Sequence, residues 1–187
     1  MHENSASFLP LGAALNDIVI RPATGADFDS MWTIFQELIA SGDTYYFAAE
    51  TSRDDCHEFW FGRGIKTWVA VLNTGRLLGM YRLLPNQLDR GSHVANASFM
   101  VSPAAQGVGI GKMLGRHCLE QARRDGFLAM QFNYVVSTNV SAVLLWKRLG
   151  FSVIGTLPRA YRHKQLGFVD VYVMYKFLAD PNDWPEQ

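Results

Sequence analysis

The sequence predicts a single mixed α/β domain, and three observations carry that expectation. Strand-like runs come first as hairpins and then alternate with helix-like runs, the order that builds helices onto both faces of one sheet. Apolar residues make up 49% of the 187 residues against 18% charged, ample material for a core. No internal repeat or low-complexity linker divides the chain. The domain is therefore expected over residues 17–178, with residues 1–16 as a short N-terminal lead-in and 179–187 as a C-terminal tail.

The elements follow from local patterning. Asp17 to Arg21 is a short β-branched strand stopped by Pro22, and Thr24 with Asp27 reads as a helix N-cap and acidic first turn. Phe28, Met31, Trp32, Phe35, Leu38 and Ile39 recur at helical spacing up to about Ala40, where Ser41-Gly42 ends the helix. Residues 43–50 are irregular and aromatic, and Thr51 or Ser52 caps a second short helix through Phe61. Strands are expected over 67–72, 77–84 and 94–101, the first two joined by the hairpin signal Asn73-Thr74-Gly75. A glycine-rich turn opens a helix from about Gly109 to Arg124, followed by strand 128–136, helix 139–149 and strands 151–156 and 169–177.

Composition excludes several functions. Lys+Arg and Asp+Glu are 17 each, so no net field draws nucleic acid or an anionic membrane. Cys56 and Cys118 form no CxxC pair and no Cys/His ligand spacing, so neither a disulfide framework nor a metal site is expected, and a reducing cytoplasm is the natural setting. No apolar run reaches the ~20 residues that span a bilayer. The first residues lack the basic start and long apolar stretch of a signal peptide.

The most informative stretch runs from Met100 to Lys112. A strand ends at Val101, Pro103 cannot extend its ladder, and Gly107, Gly109 and Gly111 alternate where a helix begins. Glycines let bare N–H groups approach a ligand, and the helix start adds unpaired donors and partial positive charge. Such a nest suits a pyrophosphate, with Lys112 and Arg116 adding charge from the first turns. The P-loop pattern fails, because Met113 stands where Ser or Thr would hold magnesium, and the dinucleotide fingerprint GxGxxG fails as well. Taken alone, the glycines fit a tight strand-to-helix turn equally well.

The context decides between these readings. Gln106-Gly-Val-Gly-Ile-Gly111 resembles the (Q/R)-x-x-G-x-(G/A) motif of the GNAT superfamily of N-acetyltransferases, and the run from Asn139 through Ala142, Trp146 and Gly150 to Phe151 resembles that family's NxxAxxLYxxxGF segment. The resemblance covers roughly residues 18–177. It implies the GNAT fold, a central mixed sheet of six to seven strands in which two parallel strands, here 94–101 and 128–136, splay apart. It implies acetyl-CoA as cosubstrate, with pantetheine bonded to backbone near Met100 and Val101. The pyrophosphate would rest on Gln106, Gly107, Val108, Gly109, Ile110, Gly111 and Lys112, while Asn139 and Trp146 would face the coenzyme from the next helix. Asn133 and Asn139 are the candidate catalytic side chains. Two positions depart from the family pattern: Trp146 replaces the tyrosine that many members use to protonate the thiolate, and Asn96 stands where several carry a glutamate base.

The acceptor cleft implied by the resemblance is built from the loop 43–47 and the splayed strands. Tyr45, Tyr46 and Phe47, with Trp60 and Tyr81, would make an aromatic wall suited to a small acceptor, although core packing claims such rings equally. Asn133 interrupts an apolar strand; if buried it needs partners, which a substrate carboxylate or ammonium, or a structural neighbour, would supply. Gly42-Asp-Thr-Tyr-Tyr46, Gln131-Phe-Asn133 and Leu145-Trp146 resemble the branch acting on azetidine-2-carboxylate, with the phosphinothricin branch as neighbour. Both imply a small amino acid as the amine. Arg159, Arg162, His163 and Lys164 are expected in a loop after the 151–156 strand, solvated or greeting an anion. The resemblance also implies a homodimer. A protein or peptide acetyltransferase predicts an open acidic groove, against which the neutral aromatic loop speaks. A non-catalytic acyl-CoA sensor is kept open by the missing tyrosine and glutamate.

Overall fold

The computed structural model describes residues 17–184, so the expected lead-in at 1–16 lies outside the described residues. Seven strands form one sheet: β1 (Ile18–Pro22), β2 (Lys66–Leu72), β3 (Leu77–Pro85), β4 (Val94–Val101), β5 (Ala129–Val136), β6 (Ser152–His163) and β7 (Gly167–Phe177). The helices are α1 (Phe28–Ser41), α2 (Arg53–Phe61), α3 (Ile110–Arg124) and α4 (Val140–Arg148). The strand order is β1-β2-β3-β4-β5-β7-β6, and every neighbouring pair is antiparallel except β4 with β5. The mixed sheet with one parallel pair is the architecture expected. No described helix is long and apolar enough to cross a membrane.

Each helix face finds its own layer of core. On one side α1 and α2 bury Met31, Phe35, Cys56 and Trp60 against Val69, Met80 and Met100, and all of these are 0–1% exposed. On the other, α3 and α4 bury Leu114, Cys118 and Trp146 against Leu78, Tyr81, Ala95 and Phe132. Removing such side chains from water stabilises the fold by roughly 1.5–3 kcal/mol apiece. Gly115 lets α3 approach α4, since a Cβ there would sit 2.7 Å from Leu149 Cδ1 and 3.2 Å from Trp146.

The parallel pair opens as the family resemblance implies. β4 and β5 pair only at Val94 with Ala129 and Ala95 with Met130; beyond these the strands part. Further along β5, a bulge sets Asn133 and Tyr134 outside the ladder, between Phe132 opposite Met174 and Val135 opposite Tyr172. Bulges of this kind bend a strand and re-aim side chains, often beside a site.

One element differs from expectation. β6 continues to His163 rather than stopping at Thr156, because register shifts on this edge strand absorb Pro158 and the left-handed Arg159 (φ 53°). Arg159, Arg162 and His163 therefore lie on a strand, and only Lys164 falls in the turn beyond it. At the other end, the tail begins with a short turn, Pro181–Asp183, and Trp184 packs edge-on against His93 and Phe177.

Candidate active site

The glycine loop meets α3 with the backbone the alternating glycines demand. Gly107 and Gly109 adopt φ of 79° and 98°, a region that penalises other residues, and Gly109 is the N-cap of α3. Nothing lies within 4 Å of a Cβ built on either glycine, so the loop faces open space. That space is a groove of about 640 Å³ lined by Met100 and Val101 of β4, by Gln106, Gly107, Gly109, Ile110, Gly111, Lys112 and Arg116, and by Asn139, Leu145, Trp146 and Arg148. Lys112, Arg116 and Arg148 bring three cations and no carboxylate to this lining. Val108 is 42% exposed and is not among the residues lining the groove; the part expected of it belongs to its backbone amide.

A second cavity of about 350 Å³ sits in the splay and is lined by Thr44, Tyr45, Tyr46, Arg82, Asn96, Ser98, Phe99, Asn133, Tyr134, Asn139 and Trp146, among others. It shares Thr44, Tyr45, Phe99, Asn139, Ala142 and Trp146 with the groove, so the two meet end to end. Trp146 closes the floor of the join against Phe99 and Phe132, with ring centroids at 4.7 and 4.8 Å. The Thr44 hydroxyl at the same join is buried and finds no hydrogen-bond partner among the described residues.

Uncharged amides furnish the far wall. Asn86 Oδ1 accepts from Asn96 Nδ2 at 3.1 Å and from Asn133 Nδ2 at 2.7 Å, and Asn133 Oδ1 accepts from Gln131 Nε2 at 2.7 Å. Asn133 is exposed rather than buried, because the bulge in β5 takes it out of the ladder, and structural neighbours, one of the two alternatives the sequence left open, supply its partners. Asn86 carries no sequence signal of its own; only the fold brings it to its partners. Asn139 caps α4, its Oδ1 accepting from Ala142 N at 3.2 Å and Ser141 Oγ at 3.0 Å.

The aromatic loop divides in its roles. Gly42 ends α1 in the left-handed region (φ 67°), and its carbonyl accepts from Lys164 N at 3.1 Å. The Tyr45 hydroxyl donates to the Phe99 carbonyl on β4, its own carbonyl accepts from Tyr161 OH at 3.1 Å, and burial pushes its pKa up. Tyr46 is 55% exposed and meets Tyr134 edge-on at 5.6 Å. Phe47 instead anchors the loop against Phe35 and Phe59 and lines a separate cavity of about 390 Å³ that also holds Arg162 and Lys164. Trp60 and Tyr81 correct the expectation outright: both are 0% exposed, and neither lines these cavities. Tyr81 points to the α3 face, stacked on Trp68 at 5.0 Å with its hydroxyl 2.8 Å from His117 Nδ1.

A helix-starting glycine loop on a cationic groove, meeting a smaller polar cavity end to end, is the arrangement of a two-substrate transferase. The profile of the acetyltransferase (GNAT) family matches residues 30–151. N-acetyltransferase aca1 of Schizosaccharomyces pombe is 41% identical over 151 residues, covering 72% of each chain. The structure of a GCN5-related N-acetyltransferase from Kribbella flavida superposes with a TM-score of 0.84 at 40% identity, covering 88% of this chain and 99% of that one. The fold is shared with a phosphinothricin acetyltransferase from Sinorhizobium meliloti in complex with AcCoA, at a TM-score of 0.80 and 23% identity over 91% and 94% of the two chains. The chain belongs to the GNAT family of acetyltransferases and is an enzyme of that class.

Proposed function

We propose that this enzyme transfers the acetyl group of acetyl-CoA to the amine of a small amino acid or amino-acid analogue, of the azetidine-2-carboxylate or phosphinothricin type. The observation that carries the reading is the end-to-end meeting of the cationic groove and the small amide-walled cavity at Asn139 and Trp146. The groove residues fit the coenzyme. The open backbone of Gly107 and Gly109 at the start of α3 offers donors to a pyrophosphate, and Lys112, Arg116 and Arg148 stand beside it. Beyond Ala95 the β4 edge facing β5 lacks a strand partner, as an extended amide-bearing arm requires.

The coenzyme would supply an acetyl thioester, and transfer forms an amide while releasing the thiol of coenzyme A. The chain's residues act chiefly by placement, since holding amine and acyl donor in line removes much of the barrier. Trp146, packed against Phe99 and Phe132, gives the join an apolar floor. The described residues lining the acceptor cavity include no carboxylate, so the amine's proton leaves to water, while Asn96 and Asn133, both bonded to Asn86, can orient the amine and that water. A volume of about 350 Å³ suits a small molecule, and no acidic lining awaits a lysine side chain.

Two further readings accompany this one. A homodimer through the long edge strand β6 is supported by exposed Val153, Ile154 and Leu157 on that strand. A reducing compartment such as the cytoplasm suits the free, buried Cys56 and Cys118.

Release of coenzyme A from acetyl-CoA tests the proposal, with pooled proline analogues, phosphinothricin-like amino acids, polyamines and short lysine peptides as acceptors. Turnover confined to the amino-acid pools is expected. Turnover only with peptides, or acetyl-CoA binding without turnover in any pool, would replace the reading with a peptide acetyltransferase or an acyl-CoA sensor.

A further inference from the structure

We infer that Arg82 is the specificity-determining residue that receives the acceptor's carboxylate, an inference resting on the amino-acid reading above. Arg82 lies on β3 opposite Ser98 of β4, and Asn96 stands two residues along on the same face of the sheet. It carries the only formal charge in the lining of the 350 Å³ cavity, whose other polar groups are amides and hydroxyls.

Its own surroundings leave that charge unbalanced. The guanidinium lies 3.4 Å over the Phe59 ring, NH1 donates to the Phe59 carbonyl at 2.8 Å, and Nε reaches Ser98 Oγ at 3.4 Å. These bonds fix the plane of the guanidinium and leave NH2 without a partner among the described residues. None of the ion pairs among the described residues includes it; those join Arg21 with Asp27, Arg53 with Asp29 and Lys66 with Asp125. Burial lowers its pKa, and the groups that act on it electrostatically in the other direction are Tyr46 and Tyr45, neither of them a carboxylate.

A half-buried cation without an anion is costly unless something supplies the missing charge. Arginine's rigid fork matches a carboxylate in two parallel hydrogen bonds, and the Phe59 stack holds it ready for that geometry. The same cation repels ammonium groups, so a polyamine or a lysine side chain meets an unfavourable field in this cavity. The amides of Asn96 and Asn133 then lie across the splay to take the acceptor's remaining polar atoms.

The test compares free acids with their primary amides. For azetidine-2-carboxylate and phosphinothricin-like amino acids, kcat/KM is measured for each acid and its carboxamide, on wild type, Arg82→Lys and Arg82→Gln, with melting temperatures to confirm folding. Wild type is expected to favour the acid by about 100-fold, the scale of a desolvated charge pair. Arg82→Gln should bring the acid-to-amide ratio near one by raising KM for the acid alone, and Arg82→Lys should keep part of the preference. A wild-type ratio near one, or an equal loss for acid and amide in Arg82→Gln, would overturn the assignment and leave Arg82 as a brace for Phe59. Absence of turnover with every acceptor would instead defeat the amino-acid reading, and direct binding of acid against amide to the wild-type chain and Arg82→Gln would then decide the role of Arg82 by the same ratio.

Discussion

Two residues make separable claims at the join and at the loop. Gly109 is left-handed with empty space beyond its Cα, so Gly109→Ala meets no clash but bears the left-handed penalty of about 1–2 kcal/mol. Gly109→Asp adds a carboxylate to a groove lined by Lys112, Arg116 and Arg148. The expected outcome by calorimetric titration is modest weakening of acetyl-CoA binding in the alanine variant and loss of it in the aspartate variant. Unchanged affinity in Gly109→Asp would remove the pyrophosphate from this loop. Thr44 argues in the opposite sense, because its buried hydroxyl has no partner among the described residues. Replacing an unsatisfied buried hydroxyl with a methyl group leaves stability unchanged or raises it by about 1 kcal/mol. Thr44→Val should therefore melt no lower than wild type, yet turn over more slowly, since the hydroxyl lies where the two cavities meet. A lower melting temperature in Thr44→Val would mean that the hydroxyl has a structural partner.

At the level of elements, the entry into α1 is held by one carboxylate. Asp27 accepts from Arg21 at 2.7 and 2.8 Å and from Thr24 N at 2.8 Å, and the bond from Arg21 holds its pKa down at about 2 from the ordinary 3.8. A carboxyl depressed in the fold contributes fully above its unfolded value and loses that contribution as pH falls through the folded one. Asp27→Asn should melt about 2–4 °C below wild type at pH 6, with the gap closing between about pH 4 and pH 2. A gap that stayed constant over that range would show that Asp27 acts by shape rather than charge. The elements were also where the sequence was most legible. The spacing of Phe28, Met31, Phe35 and Leu38 marks α1, and Ser52, which caps α2 by accepting from Asp55 N, was already a candidate cap. The glycine loop was legible because tight backbone geometry leaves few alternatives to glycine. β6 was not, because proline and glycine in an edge strand carry the same signature as a loop.

Across the whole molecule, what the sequence concealed was proximity. Trp60 and Tyr81 share the composition of an aromatic cleft, yet which side of a strand or helix meets solvent is settled only by packing between distant elements. Arg82 on β3 and Asn86 just after it lie far in the chain from Asn133 on β5, and no local pattern announces that Asn86 serves both Asn96 and Asn133. The groove was legible because its parts are contiguous, from Met100 to Lys112; the acceptor cavity was not, because β3, β4, β5 and the loop after α1 each contribute a little.

The brief pairing of β4 with β5 has a consequence in time. Only Val94 and Ala95 of β4 have register partners on β5, so amide protons on the β4 edge from Asn96 to Val101 that face the gap are not locked by a neighbouring strand. Measured by hydrogen–deuterium exchange, peptides covering this half of β4 should exchange faster than those of β2, which has partners on both sides, and should slow when acetyl-CoA is added. Equal protection of both strands in the free protein would mean that the gap closes in solution. The seam of the sheet would then act as a clock for coenzyme residence, reporting occupancy from the backbone without any change in turnover.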